Sequence, residues 1–265
     1  MSKQIPFRYD FVGSFLRPAN LKAAREGFEN GKISAYELKA VEDKEIERLI
    51  NKQKELGYHV ITDGEFRRAT WHLDFMWGFD GVAHEKTKTG LPFHGEDAMI
   101  DDTYLCGKVG LSKVHPFVEH FKFVKQFEDE NTVAKQTIPA PAQFIEQMIM
   151  PFALENTSKY YDSTHKLAED IANGYKKVIA DLYDAGCRNL QLDDCSWGML
   201  VDPRAEELFG TDKKGLKDIQ ELLVEINNLA IEDKPSDMTI TTHVCRGNFH
   251  STYASAGAYD SVAEA

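Results

Sequence analysis

His243 and Cys245, in the stretch TTHVCRGN, have the types and spacing of a metal-binding pair. Side chains on a β-strand alternate with period two, so His-x-Cys on a strand puts both on one face. Imidazole nitrogen and thiolate sulfur are common zinc donors. The plainer alternative is a half-buried cysteine beside a histidine bonded to a backbone carbonyl, and for a bare pair that is the commoner case. Carboxylates form a second group of candidates: Asp63 and Glu65 in VITDGEFRR, and Asp193 and Asp194 in LQLDDCSW. They could hold a cationic ligand. They could equally form surface salt bridges, Glu65 with Arg67 or Arg68, or cap a helix, as Asp193 would at a strand-to-helix turn.

These residues need elements to position them. Apolar runs predict strands at 9–14, 58–65, 103–112, 132–141, 188–197 and 237–245. Longer amphipathic stretches predict helices at 33–57, 114–129, 163–186 and 215–231. Strand and helix alternate, which argues for a parallel sheet covered by helices. The stretch from about 75 to 102 fits no helix and reads as an inserted hairpin or loop. On this map Ser14, Asp63, Glu65, Asp193, Asp194, His243 and Cys245 all fall at the C-terminal ends of strands. Parallel α/β folds bind ligands at that edge, so four strands ending this way point to one shared site.

The composition narrows the classes. The chain has 265 residues, 42% hydrophobic and 28% charged, which is ordinary for a globular protein. A net charge of -12 with no basic tract argues against nucleic acid as a partner. No apolar run is long enough to span a bilayer, and the first residues lack a signal pattern, so a cytoplasmic location is expected. The four cysteines are scattered, as expected of thiols or ligands rather than a disulfide framework. A homo-oligomer stays open.

Taken in order and at their distances, FVGSFLRP, VITDGEFRR, LQLDDCSW and TTHVCRGN resemble the cobalamin-independent methionine synthases. The likeness is to the short single-barrel members, related to the catalytic half of the large enzyme. It runs over nearly the whole chain. It implies a (β/α)8 TIM-type barrel and a Zn2+-activated thiol. The metal matters because a free thiol is mostly protonated near neutral pH, and coordination makes it the nucleophilic thiolate. The resemblance makes His243 and Cys245 zinc ligands. It gives Glu65 and Asp193 the ammonium of homocysteine, and the backbone around Gly13 and Ser14 its carboxylate. Cys195 shares a face with Asp193 and is expected to line the site without being a ligand, while Asp194 turns away. For the methyl donor the resemblance implies a methyltetrahydrofolate, with a methylcobalamin protein or another methylated compound left open; the candidate contacts are Trp71, Trp77 and Trp197 for a flat ring and Arg17, Lys86 and Lys88 for an anionic tail.

Six expected strands fall short of eight, and the family's further ligands, a glutamate and a second cysteine, are expected beyond residue 265. Residues 1–265 therefore read as one incomplete β/α barrel. Other readings stay open. One is a related zinc thiol alkyltransferase or a metal-free decarboxylase; another is a truncated barrel without activity.

Overall fold

The computed structural model describes residues 9–88, 90–93 and 95–265. Two helices come first, α1 (Ala19–Glu29) and α2 (Ala35–Glu55). A reciprocal cap starts α2: the Ser34 hydroxyl accepts from the Glu37 backbone N–H, and the Glu37 carboxylate accepts from that of Ser34. The helix ends at Gly57, whose φ of 79° is open to glycine at little cost. Next come β1 (Val60–Ile61) and the short α3 (Leu73–Met76). Strands β2 (Asp80–Glu85), β3 (Leu91–Phe93), β4 (Glu96–Ala98) and β5 (Asp102–Gly110) then form two antiparallel ladders, β2 with β5 and β3 with β4.

The chain returns to the parallel layer through α4 (Pro116–Lys125), β6 (Val133–Ala134) and β7 (Gln136–Pro139). After these come α5 (Pro141–Ile149), α6 (Pro151–Thr157), α7 (Thr164–Asp184) and β8 (Asn189–Asp194). The last part holds α8 (Ser196–Leu200), α9 (Ala205–Phe209), α10 (Lys213–Ile231) and β9 (Thr239–Val244). β1 pairs with β6, and β7, β8 and β9 run side by side, all in parallel. Lys135 joins β6 to β7, and its N–H donates to Ile61 O at 3.0 Å, so β6 and β7 act as one bent strand. The order is then β1, β6/β7, β8, β9, the sequential order of a barrel wall. Helices cover it: α7 buries Leu167, Ile171, Tyr175, Val178 and Leu182, and α10 buries Leu222, Leu223 and Ile226. β8 is buried along its whole length. Its alternation therefore separates two buried faces, Leu190 and Leu192 on the apolar one and Gln191 and Asp193 on the polar one.

The α/β barrel class expected from sequence stands, but two of the six expected core strands do not. Residues 9–14 form no strand. Side chains bind their carbonyls instead: Lys135 donates to Phe11 O, and Gln191 Nε2 to Val12 O at 2.6 Å. The 103–112 run falls largely in β5, which pairs antiparallel within the excursion and adds nothing to the parallel wall. Among the described residues four parallel staves remain, and no helix is long and apolar enough to cross a membrane.

Candidate functional site

β1 runs into a turn that aims Glu65 inward. Gly64 and Glu65 both adopt left-handed backbone, at φ 62° and 60°. That conformation is rare and costly for a residue with a side chain. Asp63 compensates locally, because its carboxylate accepts the Glu65 N–H at 2.8 Å. The Glu65 carboxylate is then fixed from three sides. The Ser14 hydroxyl donates to Oε2. Thr137 Oγ1 on β7 donates to Oε1 at 2.9 Å, and Arg68 Nη1 reaches the same oxygen at 3.1 Å. Arg68 is 1% exposed; it also donates to the Thr137 carbonyl at 2.6 Å and lies over the Phe117 ring. Gly13 sits alongside, and a Cβ built there would lie 3.9 Å from Glu65 Oε1.

β8 presents Asp193 beside this cluster. Gln191 Nε2 donates to its Oδ1 at 2.6 Å. Burial pushes the Asp193 carboxyl up to about 7, Gln191 opposes the rise, and the nearby Glu65 charge adds to it. Asp194 points the other way, as alternation requires. It is fully buried and accepts from the Ser196 N–H at 3.0 Å at the start of α8. The carboxylate that accepts a backbone N–H at this strand-to-helix turn is thus Asp194, and α8 itself has no side-chain cap.

β9 lies in register with β8, pairing Asp193 with His243 and Asp194 with Val244. His243 and Cys245 share a face, and their proximity raises the imidazole from its ordinary value and helps to lower the thiol. The larger influence on Cys245 is Cys195, whose sulfur lies 3.0 Å away. Sharing that contact, and burial, push the Cys195 thiol up.

Gly13, Ser14, Glu65, Asp193, His243 and Cys245 therefore gather at one rim. An imidazole and a thiol side by side suit zinc chemically and would fill half of a four-coordinate shell. Among the described residues no group of three or more His, Cys, Asp or Glu side chains is arranged to hold a metal ion.

Of the donor-side candidates Arg17 touches the Glu65 turn, while the lysines and tryptophans have other surroundings. Arg17 spends its guanidinium on the carbonyls of Glu65 and Arg68, at 3.1 and 2.8 Å. Lys86 is paired with Asp101 at 3.0 Å, and Lys88 is exposed. Trp77 has one face stacked on His84 at 3.9 Å, and Trp71 lies against His72. Trp197 packs against the core. Sequence reasoning did not single out Thr137 or Gln191 as site residues, and it placed Arg68 only as a salt-bridge partner of Glu65. Arg68 stood in the motif GEFRR, but nothing in the pattern showed which arginine turns inward.

Comparison with known proteins bears on the family and the fold. Residues 9–89 match the model of the cobalamin-independent synthase catalytic domain. An uncharacterized protein of Bacillus subtilis, YxjH, is 39% identical over 263 residues, covering 99% of this chain and 67% of the relative. A crystal structure from Listeria monocytogenes, provisionally described as a vitamin-B12 independent methionine synthase, is 40% identical with a TM-score of 0.72. It covers 91% of this chain and 66% of that one. A 5-methyltetrahydropteroyltriglutamate–homocysteine methyltransferase of Thermotoga petrophila is 22% identical over 90% of this chain and 30% of its own length. The chain belongs to the cobalamin-independent methionine synthase family. It spans about two thirds of the Bacillus and Listeria proteins.

Proposed function

We propose that this chain serves transfer of a methyl group to the thiol of homocysteine, with a zinc ion at His243 and Cys245. The observation that carries the reading is the convergence of the Ser14–Glu65–Arg68–Thr137 cluster, Asp193 and the His243–Cys245 pair at one rim. Glu65 and Asp193 form an anionic pocket for the substrate ammonium, and charge-assisted hydrogen bonds orient it. The N–H groups of Gly13 and Ser14 serve the substrate carboxylate. Arg68 and Thr137 hold Glu65 in place before the ligand arrives, so little side-chain freedom is lost on binding. When bound, the metal would lower the pKa of the substrate thiol and favour the nucleophilic thiolate.

The methyl donor is a methylated small molecule, with methyltetrahydrofolate the family's choice. The test is methionine formation from homocysteine and 5-methyltetrahydrofolate with zinc added, for the parent chain and for Glu65→Gln. Turnover abolished in the variant supports the reading. Turnover unchanged in the variant, or homocysteine binding absent in the parent, overturns it.

A further inference from the structure

We propose that Cys195 and Cys245 are a redox pair that forms a reversible intramolecular disulfide, with a small-molecule disulfide as oxidant. The inference does not depend on methyl transfer, because the bond requires only the two thiols and the sheet that holds them.

The sheet supplies the geometry. β8 and β9 pair in register as far as Asp194 and Val244, and Cys195 and Cys245 are the next residues on each strand. The ladder carries on to them, since the Cys245 N–H donates to Asp194 O at 3.3 Å. Neighbouring strands lie about 4.8 Å apart, inside the span of Cα separations that a disulfide bridges, about 4.4–6.8 Å. The side chains already face each other, with sulfurs 3.0 Å apart. Both backbones are anchored. The Cys195 N–H donates to Gln143 Oε1 at 3.1 Å, and its carbonyl accepts from Gly198 and Met199 at the start of α8. Gly198 lets α8 approach the other strand, because a Cβ there would sit 2.7 Å from the Cys245 carbonyl oxygen.

Access separates this pair from Cys187, and the facing sulfurs separate it from Cys106. Cys195 and Cys245 are both partly exposed. Cys187 is buried, and burial pushes its thiol up to about 12. Cys106 is exposed on β5, in the excursion, and serves as an internal control for simple accessibility.

The chemistry balances as thiol–disulfide exchange. One protein thiolate attacks the oxidant R–S–S–R, forming a mixed disulfide and releasing one R–SH. The second protein thiolate attacks the protein sulfur of that mixed disulfide and expels the second R–SH. The two cysteines lose two protons and two electrons in all, and the oxidant takes up both. The product ties up the Cys245 sulfur, so on the metal reading given above oxidation would also remove one zinc donor.

The test is incubation of the full chain, without added metal or substrate, in oxidised glutathione at neutral pH. Alkylation of the remaining thiols and peptide mass spectrometry follow. The expected result is a peptide pair linked through residues 195 and 245, a fall in titratable thiols from four to two, and full reversal by excess reduced thiol. Cys195→Ser and Cys245→Ser should each abolish the link and carry a glutathione adduct on the remaining partner. Glutathione adducts at Cys106 with no 195–245 link would overturn the proposal, as would a link that forms only after denaturation. Because no methyl transfer is measured, an inactive chain leaves this result intact, and an active chain does not rescue it.

Discussion

On the proposed reading, Asp193 makes acceptor binding sensitive to pH near neutrality. Burial and the neighbouring Glu65 charge hold its carboxyl up at about 7, against an ordinary 3.8. A raised carboxyl is neutral below that value and charged above it. The substrate ammonium prefers the charged form, so affinity should climb as pH rises. Between pH 6 and pH 8 the charged fraction goes from about one tenth to about nine tenths, so homocysteine should bind about tenfold more tightly at the upper end, a change of about 1.3 kcal/mol. Calorimetric titration under reducing conditions across that range measures the slope. His243 titrates nearby, and its loss of charge pushes affinity in the same direction, so Asp193→Asn is the decisive comparison. It should bind weakly and with most of the slope gone. An unchanged tenfold rise in Asp193→Asn would refute the assignment, and so would a flat profile in the parent.

Three further outcomes are expected. Glu65→Gln should weaken homocysteine binding by about 1–3 kcal/mol, the range for losing a hydrogen bond to a charged group, and equal calorimetric affinity in parent and variant would remove Glu65 from the pocket. Burial pushes Glu146 up from 4.5 to about 8, with the Asp194 charge adding to the rise. The folded state therefore binds that proton more tightly than the unfolded chain, so the parent should lose stability between about pH 4.5 and 8, by at most about 5 kcal/mol, whereas Glu146→Gln should lose clearly less in urea titrations at the two ends of that window. One equivalent of zinc should be retained less well by His243→Ala and Cys245→Ala than by the parent, and should leave the parent readily to a chelator because two donors fill half a shell. Elemental analysis showing equal zinc in all three would place the metal elsewhere.

The rim was legible in the sequence because strand periodicity is a short-range rule. His243 and Cys245 share a face, Asp194 turns away from Asp193, and Cys195 returns to the site side, all from counting by two. Long amphipathic helices were equally plain: 33–57 and 163–186 differ from α2 and α7 by a residue or two at each end. Pairing partners were not legible. Residues 9–14 have a strand-like composition, yet Lys135 and Gln191 reach them from more than 120 residues away and take the place of a ladder. The 103–112 run reads like any core strand, but its partner β2 lies within the same excursion. Thr137 and Arg68 escaped for a related reason. A threonine in a strand and one arginine of a pair acquire meaning only when β1 and β7 meet.

The register between β8 and β9 has a consequence for which amino thiol could be accepted. Asp193 faces His243 across the ladder, and Cys245 lies two residues further along. Asp193 and the His243–Cys245 pair therefore stand on one hydrogen-bonded frame and cannot slide relative to each other. On the proposed reading that frame acts as a ruler, measuring the distance from the ammonium of the acceptor to its sulfur. Cysteine is shorter than homocysteine by one methylene. With its ammonium seated at Glu65 and Asp193, its sulfur would stop short of the donors; with its sulfur in place, the ammonium would leave the pocket. A single methylene is ordinarily worth only about 1–3 kcal/mol of discrimination. A length mismatch between two fixed polar anchors sacrifices one of them, so rejection of the shorter acceptor should reach or exceed the top of that range.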